Sequence, residues 1–515
     1  MTPAGPPAST LSPRAWWTTV IYIAAVAMLL RFYNLPLKPL HHDEGVNTLL
    51  LSGLVNPPHT YAYDPANYHG PTLYYFAWSS VAALGLTTVA TRVVTALAGL
   101  VTVLLLLALK RYLGAVGALS AASILAISPG AVYYARYFIH EAPLVCFTLA
   151  CVIAAAWWVD TGRPRWLFAA AIAAALMSAT KETWIISAAV LLGAAAGAAF
   201  LQDLRLTRCD DGSTALWRQG AAILTHWARA GADGLRQPRV LIPIAAALVL
   251  FLAVNAVFYT SLFTHWQGAT DALKTLAIWT KTGTRDHVRA WFSHLYWLWQ
   301  EESPLLLLGA TGAALALWRG ENRFAMFAGL WSVGMVTAYS IIPYKTPWLT
   351  LNMTLPLAIS SGYACDLAWR NRRRAPRALP VIAMAAIIWL MGYQAITLSF
   401  VRYDDDRYPY VYAHTSREML VLVEQIRRIQ QQKPGTTIAV TSPDHFPLSW
   451  YLRGYPVGYY GRPQVTNDPI VIASDAQQAT LEPALGDRYE RVGTYILRPG
   501  AVLVLYVRRD LRLHK

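Results

Sequence analysis

The sequence predicts a polytopic α-helical membrane protein with a small extracytoplasmic α/β domain at its C-terminal end. Three observations point there. The chain is 56% hydrophobic and only 14% charged, against about 25% charged in typical soluble chains. Its apolar residues gather into runs close to the roughly 17–25 residues a helix needs to cross a bilayer. From Arg402 onward the runs shorten into strand-like segments punctuated by Gly, Pro and Asn.

Eleven long runs lack charges: 15–30, 93–109, 113–135, 142–159, 166–180, 183–201, 240–264, 303–318, 324–344, 346–365 and 378–401. Arg31, Phe32 and Tyr33 follow the first run where a cleavage site needs small residues, so it reads as an uncleaved anchor. Arg14, Lys110 with Arg111, Arg163 with Arg165, the 205–239 stretch, Arg319 with Arg323, and the 370–377 run fall on alternate connections. Basic residues stay cytoplasmic. The N-terminus is therefore expected on the cytoplasmic side of the membrane. HHDEG (41–45), RYFIHE (136–141), KE (181–182), 265–302, PYKTP (343–347) and the tail then share the outer face. The net charge of +15 is mostly a signature of this topology, and no aromatic-basic motif suggests nucleic acid. Cys146 and Cys151 lie in one run, Cys209 in a cytoplasmic loop and Cys365 near a cytoplasmic end, which leaves no disulfide outside.

The membrane module is expected over 1–401, with a first outer loop at 31–92. Within that loop, 68–85 is apolar enough to insert but would invert every later loop by spanning, so it reads as a juxtamembrane or re-entrant helix. The 265–302 loop carries Trp266, Trp279, Trp291, Phe292, Trp297 and Trp299 beside Lys274, Lys281, Arg285 and Arg289, the pattern of an amphipathic helix in the outer leaflet. Residues 402–515 form the second unit. Thr415 and Glu418 predict a capping box opening a helix to about Gln432. Strands are expected at 436–442, 455–461, 469–474 and 494–507.

The chemistry lies in the outer segments. A carboxylate at the mouth of an apolar bundle is costly unless it pairs, binds a ligand or meets water. Asp43 and Glu44 sit at such a mouth. Asp43 has the makings of a general base, since partial burial raises carboxylate basicity; the bland alternative is that both acids cap a juxtamembrane helix. RYFIHE adds Arg136, His140 and Glu141, beside a helix-loosening SPG (128–130). KETW adds Lys181 and Glu182, and PYKTP adds Tyr344 and Lys345 at the rim. Cations there suit a phosphate. His41, His42, His69, His140 and Glu141 are the imidazole and carboxylate candidates for a divalent zinc or manganese, with His42, His140 and Glu141 foremost, although no spacing is diagnostic.

HHDEG after the first run, YHGPTLYYF, TRVVTALAGLVTVLLLLAL, SPGAVYYARYFIHEAPL, ATKETW and PYKTPWL together resemble the GT-C membrane glycosyltransferases. They are most similar to the prokaryotic relatives of dolichyl-phosphate-mannose protein mannosyltransferases, including the flippase-activity-associated group, which PLSWYLRG (447–454) also resembles. The likeness is strong over about 20–200, patchy over 339–356 and weaker in the tail. It implies an inverting hexosyltransferase that takes a polyprenyl-phosphate sugar and glycosylates a protein, lipid or glycan hydroxyl. It also implies Asp43 as base with Glu44 beside it, and Glu141 as the second-loop acid where the superfamily usually has Asp. Lys181, Lys345 and His69 would face the lipid phosphate, and Arg136 would orient Glu141. A lipid-linked sugar flippase and a non-catalytic envelope scaffold are the competing readings. Transporters place ionisable groups near mid-membrane, often in repeated halves, whereas these runs carry almost no internal charge.

Overall fold

The computed structural model describes residues 10–511 apart from 58, 68, 211–215, 286, 372–377 and 465. Tyr68 of YHGPTLYYF and most of the basic 370–377 run therefore lie outside the described residues. In chain order the helices of the first part are α1 (Pro13–Phe32), α2 (His42–Val55), α3 (Thr72–Leu84), α4 (Thr88–Leu106), α5 (Lys110–Ile127), α6 (Pro129–Ala135), α7 (Glu141–Thr161), α8 (Pro164–Ser178) and α9 (Trp184–Asp210). They continue with α10 (Leu216–Leu235), α11 (Pro238–Tyr259), α12 (Gln267–Arg285), α13 (Ser293–Arg319), α14 (Arg323–Ile341), α15 (Leu351–Arg370) and α16 (Ala378–Ile396).

Each of the eleven apolar runs falls on helix. Among the described residues seven stretches are long and apolar enough to cross a membrane by length and composition, with Thr88–Ile127 counted once although it holds two of the runs. Helix α3 has 13 residues, about 20 Å of helix, too short to cross. The bundle packs closely because small residues sit where helices touch. A Cβ at Gly362 of α15 would lie 2.4 Å from the Gly117 carbonyl oxygen of α5, and one at Gly312 of α13 would lie 1.9 Å from the Ser360 carbonyl oxygen.

Two readings are corrected. The expected 265–302 loop contains α12 but ends early, because α13 starts at Ser293 and carries Glu301 and Glu302 inside it, bent at Glu302 (φ −140°, ψ 34°). Burial of Glu302 is offset by hydrogen bonds from Ser128 Oγ (2.5 Å), Gly130 N (3.2 Å) and Tyr410 OH (3.0 Å). It thereby caps α6, which starts at the SPG break. In the tail, α17 (Glu418–Gln432) opens without the capping box. The Glu418 carboxylate accepts from Ile496 N at 3.0 Å instead, and Ser416 Oγ takes the Glu418 N–H.

The tail completes a five-stranded sheet from β1 (Ile438–Val440), β2 (Val457–Tyr459), β3 (Ile470–Ser474), β4 (Tyr489–Arg498) and β5 (Ala501–Arg508). The spatial order is β2-β1-β3-β5-β4. β1 runs parallel to β2 and β3, while β5 is antiparallel to β3 and β4. Alternation along the strands sends Ile438, Val440, Ile470, Ile472, Leu503 and Leu505 against Met419, Leu422 and Ile426 of α17. The other face packs Val471, Ala473, Val504 and Tyr506 on Leu481 and Leu485 of a further short helix.

What holds α2, and with it HHDEG, is an ion pair with no solvent. Glu44 and Arg92 of α4 are both fully buried. Arg92 Nε and Nη2 bond the two carboxylate oxygens at 2.7 Å, and its remaining N–H groups bond the carbonyls of Leu35, Lys38 and Pro39 at 2.7, 3.0 and 3.1 Å. Glu44 also accepts from His41 N and Phe138 N at 2.8 Å each. Every polar atom of the pair is satisfied, which buried charges require. Arg92→Met, which strands the Glu44 charge, is expected to cost about 3–5 kcal/mol, read as a lower unfolding midpoint in detergent; an unchanged midpoint would refute the clamp.

Candidate active site

HHDEG resolves residue by residue. His41 is the N-cap of α2, and its Nδ1 accepts from Asp43 N at 3.1 Å while Glu44 returns the second half of the capping box. With Nδ1 accepting, the proton sits on Nε2, which donates to the Tyr412 carbonyl at 3.1 Å. Glu44 turns inward to Arg92. Asp43 turns outward, with 41% of its side chain exposed and Oδ2 3.8 Å from His41 Nδ1. The two adjacent acids therefore split the work, one holding the helix and one facing a cavity.

That cavity, of about 480 Å³, lies within the size range of small-ligand pockets. His42, Asp43, His69, His140, Glu141, Lys181, Glu182 and Tyr344 line it together. The segment between α1 and α4 reaches the 179–183 turn through Gly70 N to Thr180 O (3.0 Å), Thr72 N to Ala179 O (3.1 Å) and a 2.7 Å bond between the Thr72 and Thr180 hydroxyls. Gly70 is required there, because a Cβ would lie 2.1 Å from the Ala179 carbonyl oxygen.

This seam assembles a charged cluster. Lys181 Nζ donates to Glu141 Oε1, His69 Nδ1 lies 2.9 Å from Glu182 Oε2, and His140 Nε2 donates to Gly70 O at 3.2 Å. The His69 and His140 rings are 4.8 Å apart. Burial opposes the Lys181 charge, but Glu141 and Glu182 outweigh it and hold the ammonium above the usual lysine value. Burial likewise opposes ionisation of Glu182, yet His69 and Lys181 keep its carboxyl below the usual range.

Three expected site residues lie elsewhere. Glu44 is enclosed by Arg92 and reaches no cavity. Arg136 is buried and bonds the carbonyls of Leu30, Arg31, Tyr33 and Asn34 at 3.2, 3.2, 2.7 and 2.9 Å, so it caps the end of α1 and does not orient Glu141. Lys345 points its Nζ into the carbonyls of Tyr339 (2.6 Å), Ser340 (3.1 Å) and Ile342, capping α14 rather than a phosphate. Carbonyls left over at helix ends are ready acceptors for such cations. Among the described residues no three His, Cys, Asp or Glu side chains group to hold an ion; Glu141 faces Lys181 and His140 faces Gly70. Sequence reasoning missed His287, Trp348, Tyr412 and Arg498 on the cavity wall. Tyr412 and Arg498 belong to no motif, and only the docking of the tail brings them there.

The family model for dolichyl-phosphate-mannose-protein mannosyltransferase matches residues 68–207, the stretch that supplies His69, His140, Glu141, Lys181 and Glu182. Among solved structures, ArnT from Cupriavidus metallidurans bound to undecaprenyl phosphate is 15% identical with a TM-score of 0.60, covering 98% of this chain and 100% of that one. The chain has the GT-C fold. The archaeal oligosaccharyltransferase AglB from Archaeoglobus fulgidus, in complex with an inhibitory peptide and a dolichol-phosphate, is 12% identical with a TM-score of 0.56, over 91% of this chain and 70% of that one. The arabinofuranosyltransferase AftD from Mycobacteria is 14% identical with a TM-score of 0.50, over 97% of this chain and 40% of that one. No curated protein sequence matches the chain.

Within this GT-C fold the cluster is expected to lose stability in acid. Burial and the charges of His69 and Lys181 hold the His140 imidazole well below the ordinary histidine value. The unfolded chain protonates that histidine below about pH 6.5 while the native state does not, so the unfolded state binds more protons and stability falls as the pH drops. His140→Gln is expected to flatten the fall in thermal midpoint between about pH 7 and pH 5; a slope equal to that of the wild type would show that His140 does not contribute.

Proposed function

We propose that the chain is an integral-membrane glycosyltransferase that transfers a sugar from a polyprenyl-phosphate donor to an acceptor hydroxyl at the extracytoplasmic face. The observation that carries the reading is Asp43, a partly exposed carboxylate on a preorganised cavity that also holds Lys181, in a chain with the GT-C fold. The ligands bound to its structural neighbours, undecaprenyl phosphate in ArnT and a dolichol-phosphate in AglB, support the donor class. The alternation of basic loops supports an outward-facing site in the cytoplasmic membrane, with the C-terminal domain on the same side. Protein, lipid and glycan acceptors all fit the reaction.

In the proposed reaction Asp43 takes the proton of the acceptor hydroxyl as that oxygen bonds to the anomeric carbon. The bond from that carbon to the phosphate oxygen breaks, its electron pair leaves with the polyprenyl phosphate, and the anomeric configuration inverts. A fixed cation stabilises charge growing on the leaving group. Lys181 is that cation, kept charged by Glu141 and Glu182, and His69 is the second group within the same cluster. Glu141 acts by positioning Lys181. The cavity walls fix both partners, which removes much of the entropic cost of meeting.

Purified wild type in nanodiscs is expected to release polyprenyl phosphate from radiolabelled polyprenyl-phosphate hexoses and to label cell-envelope acceptors. Asp43→Asn, nearly isosteric but unable to accept the proton, is expected to lower the rate about 10²–10⁴-fold while still binding the lipid. Full activity in EDTA would show that turnover needs no removable metal, and its loss would show that it does. Silence from the wild type with every donor would favour the flippase or scaffold readings.

A further inference from the structure

One wall of the cavity comes from the tail and differs in chemistry from the rest. Arg498, the last residue of β4, lines the same cavity as Asp43 and His42. Its side chain is 16% exposed and is fixed from behind: Nη2 donates to Asp444 Oδ1, and Nη1 donates to the Phe446 carbonyl at 3.3 Å. An arginine has five N–H donors in a rigid fork. Three are left over after these two bonds, which are the hydrogen bonds of its side chain among the described residues. Asp444 balances the charge, so Arg498 offers the cavity oriented donors more than net positive charge.

A second observation adjoins it. His42 meets Phe446 edge-on, with ring centroids 5.6 Å apart. Its Nδ1 is buried and has no hydrogen-bond partner among the described residues, which marks a place for a ligand or an ordered water. Burial, reinforced by Arg498 and His41, keeps this imidazole below the ordinary histidine value, so it stays neutral.

The placement of the wall decides which substrate it meets. A polyprenyl donor enters from the bilayer, and Ile186 of α9 and Ile342 at the end of α14 line the cavity on the helical side. The tail contributes no described helix of spanning length beyond 401. It rests instead on α2, where a Cβ at Gly45 would lie 2.9 Å from Pro447 Cα, and Tyr451 OH accepts from Leu40 N at 2.9 Å. An acceptor arriving from water passes this wall. Beside Arg498 and His42 the cavity carries Asp43, whose charge disfavours an anionic group on the acceptor, while Lys181 is left for the donor phosphate.

We propose that Arg498, held by Asp444 and Phe446 and flanked by His42, is the acceptor-recognition residue of this site, donating hydrogen bonds to a neutral carbonyl or hydroxyl oxygen beside the acceptor hydroxyl. The inference rests on the transferase reading above. A site built to donate to a substrate oxygen discriminates strongly, because its donors are stranded without it.

The test uses full-length protein in nanodiscs, a radiolabelled polyprenyl-phosphate hexose and detergent-extracted cell-envelope acceptors at graded concentration. Arg498→Ala is expected to raise the half-saturating acceptor concentration about tenfold or more, to move that of the donor less than about twofold, and to shift product from transfer toward donor hydrolysis. Arg498→Lys, which keeps the charge but loses the fork, is expected to recover only part of the acceptor affinity. Asp444→Asn leaves Arg498 in place but frees it, and is expected to move acceptor affinity in the same direction, which covers the case of an Ala variant that fails to fold. An unchanged acceptor dependence, or a donor dependence that rises in parallel, overturns the proposal. A wild type that hydrolyses the donor but labels no acceptor overturns it as well, whereas a wild type that releases no polyprenyl phosphate overturns the transferase reading itself.

Discussion

Where α2 meets α4, a carboxylate and a guanidinium lie wholly out of solvent, and the segment between α1 and α4 is organised around them. An isolated charge at that depth would cost many kcal/mol. Glu44 and Arg92 avoid it by satisfying each other and by taking up the loose backbone groups of 35–41 and Phe138. The pair thus does for a loop what a hydrogen-bond ladder does for a strand. With α2 fixed, its first turn has one outward direction left for Asp43, and the angle between that carboxylate and the 179–183 turn is set by rigid elements rather than by a floppy loop.

Much of the polar content near the site serves the scaffold. Arg31 binds the carbonyls of Leu125 and Ala126 at 3.0 and 2.9 Å, Arg136 closes α1, Lys345 closes α14 and Glu302 opens α6. Each answers the same constraint: helix ends in a dry bundle leave backbone groups that water cannot reach. What remains for chemistry is a smaller set of paired groups, Lys181 with Glu141 and His69 with Glu182. Such pairing fixes the side chains in place, which suits a site that must meet developing charge without rearranging.

The tail is part of the same device. Its sheet buries two apolar faces of its own, yet Trp450 Nε1 donates to Thr88 Oγ1 at 3.3 Å and Arg453 to the Leu86 carbonyl at 3.1 Å. These contacts seat the tail over α2 and bring Tyr412 and Arg498 to the cavity. The acid-bearing helix is thus held from below by Arg92 and from above by Pro447.

Hydropathy located the apolar helices, because an apolar run of that length has few alternatives, but it passed over α10 (Leu216–Leu235) in the basic 205–239 stretch; strand composition with Gly, Pro and Asn punctuation marked the sheet, although 494–507 divides between β4 and β5. The sequence also named Asp43, Glu141, Lys181, His69, His140, Glu182 and Tyr344, since polar residues at the ends of apolar runs are costly enough to need a reason. It singled out Asp43 as base but could not show that Glu44 turns inward to Arg92, and it could not separate Lys181 from Lys345. Neighbours in sequence point in different directions on a helix, and carbonyl caps for a lysine come from residues whose geometry exists only after folding. Nor could it find Arg498, which lines the same cavity as Asp43 from 455 positions further along the chain. Composition and periodicity report what each segment must hide or expose, whereas the partner that meets each charge is decided by packing between segments distant in sequence, and only the tertiary structure contains that.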